Sequence, residues 1–126
     1  MGDVAAVTSI TETAHGSVKK IKFEFTSGEG AYAGAASATT EKAYYGEILQ
    51  VMTDPGETAP TDNWDLTITD PDSIDILKGN GADRDTANTE YIVGSNANML
   101  PAAGILTFNV TNAGDQKTGT VYVWIR

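Results

Sequence analysis

The 126-residue chain has no cysteine, one histidine and few positive charges. Without cysteine, neither disulfide bonds nor thiolate chemistry is available. Eight Lys and Arg residues stand against seventeen Asp and Glu, which gives a net charge of −9. Because proteins bind nucleic acid by neutralising phosphates with Lys and Arg, this balance argues against a nucleic-acid partner.

The chain also lacks a long apolar run. No segment approaches the roughly 18 residues of a membrane span, and the first residues, MGDVAAVTSITET, lack the basic-then-apolar order of a signal peptide. We therefore expect no membrane partner and a protein made in the cytoplasm without Sec export. Hydrophobic residues make up 40% of the chain, enough for one core, and the length predicts a single domain over 1–126.

Apolar and polar residues alternate with period two along most of the sequence, which predicts strands. Thirteen glycines and four prolines separate these windows. The pattern predicts an all-β fold, an antiparallel β-sandwich of six to eight strands, either immunoglobulin-like or jelly-roll. The predicted strands are Val4–Glu12, Val18–Thr26, Ala43–Thr53, Trp64–Asp70, Ile105–Asn112 and Thr118–Arg126, with shorter ones at Ile74–Leu77 and Glu90–Val93.

The last two predicted strands are separated by a short, glycine-containing link, which favours a hairpin between them. In the final strand, alternation places Val121, Val123 and Ile125 in the core. Tyr122 and Trp124 then point outward, in line with Arg126. Aromatic residues and Arg are enriched in protein interfaces, so this outward face is a candidate docking surface.

Two further segments are candidates for contact with a partner. Gly28–Thr40 is almost entirely small residues, with Tyr32 as its bulky group, and long loops of this kind are usually functional. Residues 1–12 are predicted to form an extended N-terminal arm. On the strand Val18–Thr26, Lys20 and Lys22 share one face; this face is either solvated and paired with acidic neighbours or a basic patch that docks on an acidic partner.

Residues for catalysis are sparse. The single histidine, His15, lies in a turn, and neither cysteine nor a G-x-S-x-G motif is present, so a nucleophilic triad is not predicted. The many carboxylates lie in polar loops, where no burial raises the pKa of one of a pair as glycosidases require. The sequence predicts no enzyme, no catalytic residue and no cofactor.

One acidic loop leaves two interpretations open. Asp83, Asp85, Asn88 and Glu90 supply oxygen atoms of the kind that Ca²⁺ binds. The spacing differs from that of an EF-hand, because no glycine stands at the bend and Arg84 separates the first two acids. Asp, Asn and Thr also cap backbone groups in turns, and this second interpretation predicts no metal site.

Residues 58–92 contain the segment PTDNWDLTITD, an acidic turn and the run GADRDTANTE. This order resembles small all-β virion proteins of tailed bacteriophages, and the C-terminal segment KTGTVYVWIR extends the similarity. Some of these proteins are capsid decoration (cement) proteins. The resemblance implies a non-enzymatic protein on the outer surface of the phage head, which bridges major capsid protein subunits and associates with copies of itself as a dimer or trimer.

Three functions therefore stay open at this stage. The first is capsid decoration, with Tyr122, Trp124, Arg126, Lys20, Lys22 and Tyr32 as the predicted partner-binding residues. The second is a neck or tail component of the same virion. The third, from a different class, is a carbohydrate-binding β-sandwich that stacks sugars on the outward aromatic rings.

Overall fold

The computed structural model describes residues 4–94 and 98–126. It contains eight strands in two sheets, and every pair of neighbouring strands within a sheet is antiparallel. The predicted all-β sandwich of six to eight strands is thus confirmed. The strands are β1 (Val7–His15), β2 (Val18–Thr26), β3 (Ala36–Gly46), β4 (Ile48–Pro55), β5 (Asp65–Thr69), β6 (Glu90–Val93), β7 (Ala102–Thr111) and β8 (Thr118–Ile125).

The five-stranded sheet has the order β1-β2-β8-β4-β6, and the three-stranded sheet has the order β3-β7-β5. β1 and β2 form a hairpin whose turn contains Gly16, at φ +64°. After this hairpin, each link between successive strands crosses from one sheet to the other. This crossing pattern places consecutive strands on opposite layers, and the core is formed between them.

The core follows from the alternation in each strand. Phe23 and Phe108 face each other across the layers with ring centroids 5.3 Å apart, and Phe25 lies 5.5 Å from Trp64. The indole N–H of Trp64 donates to the Asp85 carbonyl oxygen at 3.2 Å, which satisfies the polar atom of an otherwise buried ring. Fully buried aliphatic residues fill the remaining space; they are Ile21, Val51, Leu66, Ile68, Ile76, Leu77, Leu106, Val110, Val121, Val123 and Ile125.

The prediction of a hairpin between the last two strands is wrong. β7 pairs with β3 and β5, whereas β8 pairs with β2 and β4 in the other sheet. The link between them turns through three residues at positive φ, Asn112 (60°), Gly114 (86°) and Gln116 (50°). Ala113 is buried in this link and donates to the Gly34 carbonyl oxygen, so the segment is a sheet-to-sheet crossing.

The predicted single strand Ala43–Thr53 is also wrong, because the chain changes sheet within it. Gly46 has φ +142°, and a Cβ atom at this position would lie 2.5 Å from the Arg126 carbonyl oxygen. Only glycine fits such a close approach at this φ. The segment is therefore divided between the end of β3 and the start of β4.

Three other predicted elements shift. The first strand, predicted over Val4–Glu12, runs from Val7 to His15, so residues 7–12 of the expected N-terminal arm belong to a strand; residues 1–3 lie outside the described ranges. The small-residue segment Gly28–Thr40 contains a 3-10 turn at Gly30–Tyr32 and then enters β3. Ile74–Leu77 is a turn segment that lies along β5, where Ile76 and Leu77 are buried.

Glu12 connects the two layers on the side where β1 lies next to β3. Its carboxylate accepts the backbone N–H groups of Glu41 (2.9 Å) and Lys42 (3.2 Å) and the Tyr44 hydroxyl (2.6 Å). The two backbone donors come from the part of β3 where its register against β7 is interrupted, between Thr39 and Ala43. A single inward carboxylate on β1 thus satisfies backbone groups that the interruption leaves unpaired.

Candidate functional site

The outward side of the five-stranded sheet carries two rows of side chains. In the first row Lys20 lies opposite Trp124, which lies opposite Gln50; in the second, Lys22 lies opposite Tyr122, which lies opposite Met52. The rows continue into β6. We call this surface the outer face; its residues are Lys20, Lys22, Gln50, Met52, Tyr91, Val93, Tyr122 and Trp124.

Strand alternation explains why these side chains share one face. On β8 every second residue is buried: Val121, Val123 and Ile125 are fully inaccessible, as the sequence predicts, while Tyr122 and Trp124 are partly exposed. The same alternation on β2 buries Ile21 and leaves its lysine neighbours outward. The outer face is therefore a direct consequence of the period-two pattern.

The two aromatic rings at the centre of the outer face are held against each other. The Tyr122 and Trp124 ring centroids are 5.9 Å apart, and the ring planes differ by 19°. The Lys20 Nζ atom lies over both rings, 5.1 Å from the Tyr122 centroid and 5.8 Å from the Trp124 centroid. Each contact of this kind contributes about 0.5–1 kcal/mol at an exposed site. The rings are thus ordered before any partner arrives.

The positive charges of the outer face are largely available to a partner. Lys22 Nζ lies 5.9 Å from the Tyr122 centroid and 3.8 Å from a Glu24 carboxylate oxygen, with side chains 37% and 50% exposed. An exposed pair at this distance is worth little. In the described ranges the other ion pair joins Arg84 and Glu90, so Lys20 takes part in neither. Lys22 therefore pairs weakly with an acidic neighbour and Lys20 packs on the rings, while docking of this patch on an acidic partner stays a prediction.

An apolar margin completes the outer face. Tyr91 is 61% exposed and Val93 is 40% exposed, both on the short edge strand β6. A shallow cleft of about 320 Å³ lies beside Trp124 and is lined by Leu49, Gln50 and Trp124, where the register of β4 against β8 shifts. A volume of this size accommodates side chains of a protein partner.

Four of the six predicted partner-binding residues come together on this face: Lys20, Lys22, Tyr122 and Trp124. Arg126 directly follows β8 and is exposed. Its backbone exchanges two hydrogen bonds with the backbone of Glu47, which fixes the position of Arg126 at the end of β8. Tyr32 lies apart, on the 3-10 turn, where it is 51% exposed and lines a separate cleft of about 260 Å³ with Ala36 and Asn109.

Sequence reasoning missed the part of the outer face that comes from β4 and β6. Gln50 and Met52 belong to the segment that was predicted as one continuous strand, and that error hides which sheet they enter. Tyr91 lies in a correctly predicted strand, but its neighbour across the sheet is Met52, 39 positions earlier. Alternation gives the face of a strand and does not give its neighbour, so no signal in the sequence identifies this margin.

The outward side of the three-stranded sheet has different chemistry. At one end its rows contain uncharged polar side chains that bond to each other: Ser37 donates to Asn109 at 3.0 Å, and the hydroxyls of Thr39 and Thr107 are 3.1 Å apart. Such pairs satisfy their own hydrogen-bonding groups. Toward the other end Ile105 and Tyr45 are exposed. The outer face of the five-stranded sheet is therefore the stronger candidate for a docking site.

The acidic loops cap backbone groups. Asp75 accepts three backbone N–H groups, from Ile68, Leu77 and Gly79, at 2.9–3.2 Å. In the loop considered for calcium, Asp83 donates its N–H to an Asp65 carboxylate oxygen, and the Asp85 N–H donates to Glu90. No group of three or more His, Asp or Glu side chains in the described ranges is arranged to hold a metal ion.

In that loop the Asn88 side-chain amide donates to the Asp85 carboxylate. This hydrogen bond, with those from neighbouring backbone N–H groups, holds the pKa of Asp85 below its ordinary value, against a smaller opposing effect of burial. The carboxylate is therefore charged at neutral pH and occupied by the loop itself. This is the role that the turn-cap interpretation gives it.

Comparisons with known proteins assign no family. No protein-family model matches the sequence, and no curated protein matches it. Among solved structures, the chain is similar to the enzymatically active domain of tailspike protein 4 from bacteriophage CBA120, at 12% identity and a TM-score of 0.41. The alignment covers 94% of this chain and 19% of the tailspike chain, so this chain spans about a fifth of that protein. A similarity at this level assigns neither activity nor partner.

In the described part of the chain, no helix is long and apolar enough to cross a bilayer.

Proposed function

We propose that the chain is a non-enzymatic structural protein of a tailed-phage virion that attaches to the outer surface of the head and bridges neighbouring major capsid protein subunits. The observation that carries the proposal is the outer face, on which Lys20 lies over the parallel rings of Tyr122 and Trp124. The resemblance of residues 58–92 to small virion proteins of tailed phages is the reason for proposing a phage virion as the site of attachment.

The outer face suits a protein partner because aromatic rings form its centre and both of its lysines come from the neighbouring strand β2. Aromatic residues in the middle of an interface carry most of the binding free energy. Lys20 and Lys22 give the same surface a positive margin on a chain of net charge −9, which favours carboxylates on the partner and fixes the orientation of docking.

Bridging two subunits makes the attachment as a whole tighter than either contact alone. A rigid sheet that touches two capsid subunits makes the second contact intramolecular, so weak individual interfaces give a tight attachment overall. The sandwich supplies this rigidity, because β2, β8 and β4 carry the centre of the outer face and are held together by antiparallel pairing. The pairing is continuous between β2 and β8, and between β8 and β4 from Gln50 to Pro55.

A neck or tail component of the same virion is the second candidate, since the outer face would serve equally on a tail protein. Copy number separates the two. A head decoration protein is present in proportion to the major capsid protein, whereas a neck or tail component is present at a small fraction of it. Quantitative densitometry of purified virions, or a map of the particle, measures this ratio directly.

The carbohydrate-binding alternative is disfavoured by the position of Lys20. Sugars stack on open aromatic faces, and here the lysine ammonium lies over both rings. A glycan array with the purified protein tests this point, and binding that is lost in Trp124→Ala would support the carbohydrate function instead.

The deciding experiment refills stripped virions with the purified protein. Trp124→Ala should fold and should bind at least about 30-fold more weakly, equivalent to about 2 kcal/mol for a central aromatic residue. Tyr45→Ala is the matched control, because Tyr45 is an exposed aromatic residue (72%) on a strand of the other sheet. Wild-type occupancy by Trp124→Ala, or equal losses in both variants, would overturn the assignment of the outer face.

A further inference from the structure

The sandwich has four sheet edges, formed by β1 and β6 in one sheet and by β3 and β5 in the other. An edge strand presents unpaired N–H and C=O groups that can pair with a strand of another chain. Natural proteins usually protect such edges with short strands, bulges, charges, prolines or covering loops. The four edges of this protein differ sharply in this respect.

The edge of β5 is covered by its own chain. The segment that follows the strand runs back alongside it, so that Leu66 N–H donates to the Gly81 carbonyl oxygen and Ile76 N–H donates to the Ile68 carbonyl oxygen, both at 2.8 Å. The Ile68 N–H is taken by the Asp75 carboxylate at 3.2 Å. No further strand can add at this position.

The edges of β3 and β6 are protected in other ways. β3 has a register interruption between Thr39 and Ala43, and the N–H groups of Glu41 and Lys42 are capped by the Glu12 side chain. β6 has only four residues, Glu90–Val93, which limits the number of bonds that an added strand would form. Both are devices that natural edge strands use.

β1 has none of these protections. It is nine residues long and pairs with β2 in unbroken register from Val7 to His15. It contains neither lysine nor proline, and its one acidic residue, Glu12, is turned inward to β3. Within residues 4–94 and 98–126, β1 pairs with β2 and with no other strand, and Val7 is 69% exposed.

We propose that two copies of this chain pair along β1 in antiparallel orientation, about a two-fold axis at Thr11. Thr11 is the midpoint of the strand, so this register overlaps its full length. It places Thr11 opposite its own copy, Ser9 opposite Thr13, and Ile10 opposite Glu12. No like charges face each other, and the strand is complementary to itself, as a two-fold interface requires.

The pairing joins two five-stranded sheets into one. Residues directly opposite in an antiparallel pair point to the same side of the sheet, so the two outer faces form a continuous surface. The dimer would then present two sets of Lys20, Tyr122 and Trp124 in a fixed orientation. Pairing along β1 does not depend on the virion role and is measured on the isolated protein.

The first test uses the absence of cysteine from the chain. Opposite Cα atoms in antiparallel strands are about 4.5–5.5 Å apart, within the range of about 4.4–6.8 Å that a disulfide spans. Thr11→Cys should therefore form a covalent dimer under mild oxidation. Thr111→Cys, at an exposed position of β7 in the other sheet, is the control and should stay monomeric on denaturing gels.

A second test uses charge at the two-fold axis. Thr11→Lys and Thr11→Glu each place like charges opposite each other and should be monomeric in sedimentation equilibrium, where the wild type is a dimer. An equal mixture of the two variants should recover the dimer. Thr11→Glu also places a carboxylate beside Lys22 of its own chain, so it should keep its fold, which circular dichroism checks.

The proposal is overturned by a wild-type protein that sediments as a monomer at every concentration reached. It is also overturned if both charged variants remain dimeric, because the interface then lies away from Thr11. Equal cross-linking of Thr11→Cys and Thr111→Cys would show random collision and would likewise reject the β1 pairing.

Discussion

The Tyr44 hydroxyl donates a 2.6 Å hydrogen bond to the Glu12 carboxylate, and through it the edge strand of one sheet is tied to the edge strand of the other. Burial is the largest single influence on both groups, and acting alone it would raise the pKa of each. For Glu12 the hydrogen bonds from Tyr44 and from backbone N–H groups outweigh burial, and its pKa lies below the ordinary value. For Tyr44 the bond and the charge of Glu12 act with burial, so its pKa is raised.

These two shifts predict opposite pH limits. Glu12 has a lowered pKa in the folded state, so its stabilisation is complete above its ordinary value of 4.5 and is lost as pH falls below it. Tyr44 has a raised pKa, so its stabilisation is complete below its ordinary value of 10.0 and is lost as pH rises beyond it. Urea unfolding across pH should show both losses.

Variants at the two positions separate these effects. Glu12→Gln should lower the free energy of unfolding at neutral pH by about 1–3 kcal/mol, since charge-assisted hydrogen bonds from the Tyr44 hydroxyl and two backbone N–H groups are weakened, and should flatten the acid limb. Tyr44→Phe should flatten the alkaline limb. Unchanged limbs in both variants would show that this contact does not set the pH dependence.

A second prediction concerns the two faces of β8. Ile125 is fully buried, so Ile125→Ala should cost about 2–5 kcal/mol of unfolding free energy. Trp124 lies on the outer face, and Trp124→Ala should cost clearly less, since it leaves the core intact and removes the ring stacking and the contact with Lys20. Thermal melting of both variants measures the difference. Equal losses would mean that the tryptophan is as important to the core as Ile125.

The sequence predicted β8 and β2 well because one face of each strand is buried and the other is not, which makes the alternation clear. It predicted β3 and β4 badly because the change of sheet occurs at one glycine, Gly46, whose role depends on the approach of the Arg126 backbone. The predicted hairpin failed for a related reason: a short glycine-containing link fits both a tight turn and a crossing between sheets.

The candidate site was also predictable only in part, because the sequence indicates the face of a strand but not the neighbours of that strand. Lys20, Lys22, Tyr122 and Trp124 were identified because alternation alone places each on an outward face. That they form one surface depends on β2 and β8 being neighbours, although the paired residues are far apart in the sequence, from 92 positions for Thr26 and Thr118 to 106 for Lys19 and Ile125. Tyr32 is the one bulky group in a small-residue segment, and composition does not indicate where such a turn packs.

A third prediction tests the acidic turns. Asp75→Ala removes an acceptor from three backbone N–H groups, two of them on the buried residues Ile68 and Leu77, and should cost about 1–3 kcal/mol of unfolding free energy. Asp72→Ala, at an exposed position of the preceding turn, should cost less than about 0.5 kcal/mol.

The same interpretation predicts that chelation has no effect. Since the loop carboxylates accept hydrogen bonds from the chain itself, the melting temperature should be equal in EDTA and in added calcium. A melting temperature that falls by several degrees in EDTA would instead assign Asp83, Asp85 and Glu90 to a bound cation.

The last prediction concerns the lysines of the outer face. If Lys20 and Lys22 meet carboxylates on the partner, attachment to stripped virions should weaken as salt rises, because exposed charges are screened over about 8 Å at physiological ionic strength. Lys22→Ala should reduce this salt dependence while leaving the aromatic contacts in place. Lys20→Ala should also reduce the salt dependence, and it should loosen the rings that the Lys20 ammonium covers.

Lys78→Ala, at an exposed lysine in a turn away from the outer face, is the control and should leave the salt dependence unchanged. Attachment that is insensitive to salt in the wild type would mean that the partner meets the aromatic centre alone, and the lysines then serve to hold Tyr122 and Trp124 in place.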